Sequence, residues 1–146
     1  MKIIIIIFTT IFILSGCSGS PPQNLGLRDT SLAPCPGSPN CVSSQTDPED
    51  TEHAIEPLCF LDNPEKTRKK LHDVVQGMGG TTLITDNGSY LYYTFTIPVF
   101  GFVDDVEFYI DEANKIIHVR SASRVGYGDL GVNRKRVEKI REKLCS

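Results

Sequence analysis

Two stretches in the second half of the chain alternate apolar and polar residues with the period of a half-buried strand. In Asp105 to Asp111, Val106, Phe108 and Ile110 share one face, and Asp105, Glu107 and Tyr109 the other. In Lys115 to Ser121, Ile117 and Val119 oppose His118 and Arg120. A two-residue turn at Ala113-Asn114 sets Ile110 against Ile117, Phe108 against Val119 and Tyr109 against His118. A one-residue slip would mix the faces, so burial selects this register. It predicts a cross-strand Glu107–Arg120 pair.

Upstream, Thr81 to Asp86 and Ser89 to Ile97 are rich in β-branched and aromatic residues and flank Asn87-Gly88, a strong hairpin signal. Pro98 ends the second of these strands. Helical spacing brackets the four strands. Asn63 reads as an N-cap with Pro64 at the first helical position. Leu71, Val74, Val75 and Met78 follow at helical intervals, and Gly79-Gly80 stops the helix. A last helix runs from about Asn133 to Leu144, with Val137, Ile140 and Leu144 inward. The expected fold is α+β: a two-layer sandwich of a four-stranded antiparallel sheet with two helices packed on one face.

The N-terminus follows a different pattern. Met1-Lys2 precedes a run of mostly apolar residues from Ile3 to Leu14. One positive charge and about a dozen apolar residues match a secretory leader. The run falls short of the roughly 20 residues that span a bilayer. It closes on Leu14-Ser15-Gly16-Cys17, which resembles a bacterial lipobox. The expected organisation is a signal peptide at residues 1–16, a lipidated Cys17 with a flexible tether over 17–31, and one domain over 32–146. Stable anchoring needs more than one acyl chain, such as palmitate added to a diacylglycerol. Ser18 in place of Asp leans towards the outer membrane, periplasmic side, in a Gram-negative cell.

Four cysteines remain: Cys35, Cys41, Cys59 and Cys145. An even number in an exported domain implies disulfides, with three connectivities open. The preferred pairing is Cys35–Cys41, closing a Pro- and Gly-bearing loop, and Cys59–Cys145, pinning the last helix to the start of the domain. A four-cysteine zinc site would want ligands two to four residues apart. The closest pair here has five between, and no metal or cofactor is expected.

The formal net charge is −3, and losing Lys2 with the leader makes it −4. That balance disfavours nucleic-acid binding. Gly126-Tyr127-Gly128-Asp129-Leu130-Gly131 has dinucleotide-fingerprint spacing, but no βαβ unit surrounds it. A narrower idea survives: a glycine loop feeding a helix N-terminus binds an anion, with Arg120 and Arg124 supplying charge. The structural alternative pairs Arg120 with Glu107, and has Arg124 cap carbonyls or pair with Asp104, Asp105 or Asp129. His72 reads as a surface residue, and His118 as hydrogen-bonded to Tyr109. No catalytic residue is assigned. A Ser/His/Asp triad would have to assemble in space, with Ser43 or Ser44 as its serine.

Three blocks carry a resemblance. They are Pro34 to Ser44, Asp104-Asp105-Val106-Glu107-Phe108, and Arg120 to Arg134. Together they resemble the domain-of-unknown-function family 1499, from Leu32 to the C-terminus. The resemblance implies an exported, membrane-associated or organellar protein and carries over no activity. It further implies that the Cys35/Cys41 loop, the acids and the Arg120–Arg134 segment form one cluster.

The functional expectation is a noncatalytic, membrane-anchored binding or structural module. Its candidate ligand-binding residues are Glu107, Arg120, Ser123, Arg124, Asp129 and Asn133, with Tyr90, Tyr92 or Phe95 nearby. Its ligand is small and anionic or amphipathic, or its partner is an envelope protein. The alternative is an envelope hydrolase using the same polar cluster or Ser43/Ser44.

Overall fold

A computed structural model of the chain describes residues 19–98 and 100–146. The leader and Cys17 lie outside the described residues. The elements are β1 (Cys41–Ser43), β2 (Leu58–Cys59), α1 (Pro64–Gln76), β3 (Thr81–Asp86), β4 (Tyr90–Thr96), β5 (Val103–Asp111), β6 (Ile116–Ser123) and α2 (Val132–Leu144).

The sheet has six strands rather than four, in the order β1-β6-β5-β4-β3, with β2 also on β6. β1 and β2 lie along the same edge of β6: Cys41 pairs with Ala122 and Ser43 with Arg120, while Leu58 pairs with Ile117. At three and two residues, they are too short to show a period. Ser44 fills the gap between them. Its N–H donates to the Val119 carbonyl at 2.9 Å. Its Oγ accepts the Val119 N–H at 2.9 Å, as a strand carbonyl would.

The β5–β6 register is the expected one, with Ile110 opposite Ile117 and Glu107 opposite Arg120. The connection is longer than two residues: Glu112 to Lys115 intervene. Asp111 braces it by accepting the Asn114 N–H at 3.0 Å. β3 and β4 turn through Asn87-Gly88, with Gly88 at φ 80°. Their register shifts between Leu83 and Thr85. Ile84 is left unpaired there, which explains a large apolar side chain facing water.

Both helices cover one face of the sheet. Leu71 and Val75 of α1 and Val137, Ile140 and Leu144 of α2 pack with Leu91, Tyr93, Val106, Phe108, Ile110, Ile117 and Val119. Full burial of each such aliphatic side chain contributes roughly 1.5–3 kcal/mol. Asn63 caps α1, its side chain accepting the Lys66 N–H at 2.9 Å. Disulfides join Cys35 to Cys41 and Cys59 to Cys145, the preferred pairing.

The other face is not bare. Leu25, Leu27 and Leu32 pack on Tyr90, Tyr92 and Tyr109. Gly26 N–H donates to Glu107 at 2.8 Å. The described part of the stretch expected to be a free tether is therefore docked on the sheet from Leu25 onward. Burial of the three leucines against tyrosine rings supplies the reason.

Candidate functional site

The six candidate residues divide between the two faces of the sheet, in two separate hydrogen-bond networks. Side chains alternate along a strand, so neighbouring acids on β5 point opposite ways. Asp104 faces the helices and Asp105 faces away.

On the face away from the helices, Glu107 is fully buried. It accepts from Tyr90 Oη at 2.8 Å and from Arg120 at 3.2 Å. Asp105 accepts from Tyr92 Oη at 2.5 Å and from Arg124 at 2.8–3.1 Å. Burial, then the hydrogen bond to Asp105, pushes the Tyr92 hydroxyl up to about 12. Arg120 Nε is buried with no partner among the described residues. An unmet buried donor of this kind costs roughly 1–3 kcal/mol. Both arginines are thus committed to carboxylates, as the structural alternative held.

On the helix face, Asn133 is the hub. Its Nδ2 donates to Ser123 Oγ at 2.9 Å, Asp129 Oδ2 at 2.8 Å and the Asn40 carbonyl at 3.1 Å. Its Oδ1 accepts from Ser121 Oγ and Arg136, each at 2.6 Å. Arg136 also pairs with Asp104 and lies 4.7 Å over the Phe95 ring. Phe95 therefore belongs to this face, while Tyr90 and Tyr92 belong to the other. Asn40, set beside the Cys35–Cys41 disulfide, donates to the Gly126 carbonyl at 2.7 Å and holds the glycine loop. Each of the three sequence blocks contributes to this network.

The anion site imagined at the start of α2 is filled by the chain itself. Asp129 accepts the Gly131 N–H at 2.9 Å and the Asn133 N–H at 2.7 Å. Burial raises its pKa, but these hydrogen bonds outweigh that and hold it below the usual carboxylate value. Arg120 and Arg124 do not face this loop.

Over the Asn133 network opens a cleft of about 540 Å³ between the β4–β5 and β6–α2 connections. Its polar lining is Asp104, Ser123 and Asp129. Its apolar lining comes from Ile97, Phe100, Phe102, Val125, Leu130 and Val132. Phe100 is 64% exposed and Leu130 93% exposed. Phe100 stacks on Phe102, ring centroids 5.8 Å apart. Leu130 has φ 54°, a left-handed conformation unfavourable for a branched side chain. A bulky apolar residue is held outward there against local strain, the pattern of a functional loop.

Asp104 was expected to pair with an arginine, but Arg136, the arginine it pairs with, and the apolar rim were not foreseen. A signal was present: Ile97 to Phe102 is apolar where a strand connection is normally polar.

His118 Nδ1 lies 3.2 Å from Ser44 Oγ, and its ring stacks on Tyr109 instead of hydrogen bonding to it. Burial lowers its pKa, against the pull of Asp111. His72 is half-buried, with Nδ1 2.6 Å from Tyr93 Oη. Among the described residues no helix is long and apolar enough to cross a membrane.

A mainly antiparallel sheet with two helices on one face, a buried ion-pair end and an apolar cleft defines an α+β domain stapled by two disulfides. The model of the family described as a protein of unknown function (DUF1499) matches residues 31–144, and the chain belongs to that family. No curated protein and no solved structure matches it.

Proposed function

We propose that this is a lipid-anchored envelope module, held by acylated Cys17 after removal of residues 1–16, whose cleft binds an amphipathic ligand by its apolar part. In a cell with two membranes it sits on the periplasmic side of the outer one. The observation that carries the reading is the pair Phe100 and Leu130, exposed at the rim of a cleft whose polar floor is fixed by hydrogen bonds. Sites for small ligands combine apolar walls with a few fixed polar groups in this way.

The cleft lining favours an uncharged or zwitterionic ligand over an anionic one. It contains two carboxylates and no basic residue. Titration with lysophosphatidylethanolamine below its micelle threshold, followed by backbone amide NMR, tests the reading. Shifts should concentrate in residues 100–104 and 123–132. Shifts spread evenly over the surface, or none, would reject it.

One observation favours a second reading, a hydrolase with Ser44 as nucleophile and His118 as base. The 3.2 Å contact and the lowered His118 pKa suit a neutral base. Against it, His118 Nε2 is 3.9 Å from Asp111, whose oxygens are bound to Asn114. Ser44 Oγ also accepts the Val119 N–H. Fluorophosphonate labelling of Ser44, lost in His118→Gln, would establish this reading in place of the first.

A further inference from the structure

We propose that the apolar rim of the cleft is the surface on which the domain sits on the lipid bilayer, with the cleft opening onto the membrane. The inference rests on the anchor proposed at Cys17 and extends it to the orientation of the whole domain.

Gly19 lies against the end of β6: a Cβ there would come within 2.9 Å of Arg124 Cβ and of Val125 Cγ1. Val125 lines the cleft. Two peptide steps separate Gly19 from Cys17, and covalent geometry limits that span to about 7 Å. An acylated Cys17 therefore holds the Val125 end of the sheet within about 10 Å of the anchoring residue, and so close to the headgroups. The docking of Leu25, Leu27 and Gly26 onto the other sheet face removes the slack that a free tether would give.

That end of the molecule is also apolar at its surface. Phe100, Phe102, Tyr127, Leu130 and Val132 are the large apolar side chains exposed there. Ile84, on the β3 bulge, is the other large exposed hydrophobic among the described residues. Clustered exposure of this kind marks an interaction surface, whereas scattered residues do not. Aromatic rings favour the headgroup level of a bilayer. Lys135 flanks the rim, its Nζ 3.4 Å from the Leu130 carbonyl, where a cation can meet lipid phosphate. The far end of α2, about 18 Å away along a helix of 13 residues, carries Arg141 and Lys143 and has no comparable apolar cluster among the described residues.

The test uses the mature acylated chain reconstituted in phosphatidylethanolamine/phosphatidylglycerol vesicles. Leu130→Cys carries an environment-sensitive nitrobenzoxadiazole label, with Glu142→Cys as the reference position and Phe100→Cys as a second rim position. The expected result is a blue-shifted emission, quenched by lipids brominated on the acyl chain, at both rim positions and not at residue 142. Rim labels that stay water-exposed on a chain whose acyl groups are confirmed by mass would overturn the seating and leave the anchor and the ligand site standing. A mature chain without acyl groups would overturn the anchor and the seating together. Ligand shifts in solution with dark rim labels on vesicles would separate the cleft reading from the membrane one.

Discussion

The carboxylate of Asp129 sits at the head of α2 and accepts the backbone N–H of Asn133 at 2.7 Å, while the Asn133 side chain donates back to it at 2.8 Å. The two residues lock the glycine loop to the helix. Because the folded-state pKa of Asp129 is lowered, its contribution is present above the ordinary Asp value of 3.8 and is lost as pH falls through the lower folded value. Asp129→Ala should cost about 0.5–2 kcal/mol at neutral pH, the range for a lost helix cap. It should also flatten the fall in stability below about pH 4. Urea unfolding at a series of pH values reads both.

Arg124 and Asp105 form a buried pair, the two side chains 9% and 1% exposed. Removing the arginine leaves a buried carboxylate whose remaining side-chain partner is Tyr92. Arg124→Ala should destabilise the domain by about 3–5 kcal/mol. Ligand binding in whatever fraction stays folded should be nearly unchanged, because Arg124 faces away from the cleft. A variant with an unchanged melting curve and abolished binding would restore Arg124 to the site.

Leu130 offers the opposite signature. It is 93% exposed and sits at φ 54°. Glycine relieves that conformation and removes the side chain. Leu130→Gly should leave stability unchanged or raise it by a few tenths of a kcal/mol, offset by the greater freedom of the unfolded chain. The same variant should weaken lysophospholipid binding several-fold. Thermal unfolding and ligand titration on one sample separate the two effects.

The Cys59–Cys145 bridge closes a loop with a sequence separation of 86. In the chain-entropy picture such a closure contributes roughly 4–5 kcal/mol. The double replacement Cys59→Ala/Cys145→Ala should lower stability by up to that amount. The end of α2 should then open first, visible as faster amide exchange at Ile140 and Leu144.

Much of the frame could be read from patterning, because burial of one face imposes a period. β5, β6 and their register follow from Val106, Phe108, Ile110, Ile117 and Val119 alone. α1 announces itself through Asn63-Pro64. β1 and β2 escaped because strands this short pair on β6 through backbone and disulfide context instead of alternation.

The site was legible by residue type but not by face. Glu107, Arg120 and Arg124 were candidates beside Ser123, Asp129 and Asn133, yet strand alternation sends the first group to the opposite side of the sheet. Asp104 was read as an acid for an arginine, but Arg136 was overlooked as its partner because a buried ion pair between a helix and a strand leaves no local signature.

The most direct test of the central claim is native mass spectrometry of residues 18–146, exported to an oxidising compartment and exposed to lysophosphatidylethanolamine. The account predicts a one-to-one adduct that disappears in the Phe100→Glu/Leu130→Glu variant while both disulfides stay formed. A bare mass for the unmodified domain at every lipid concentration would contradict it.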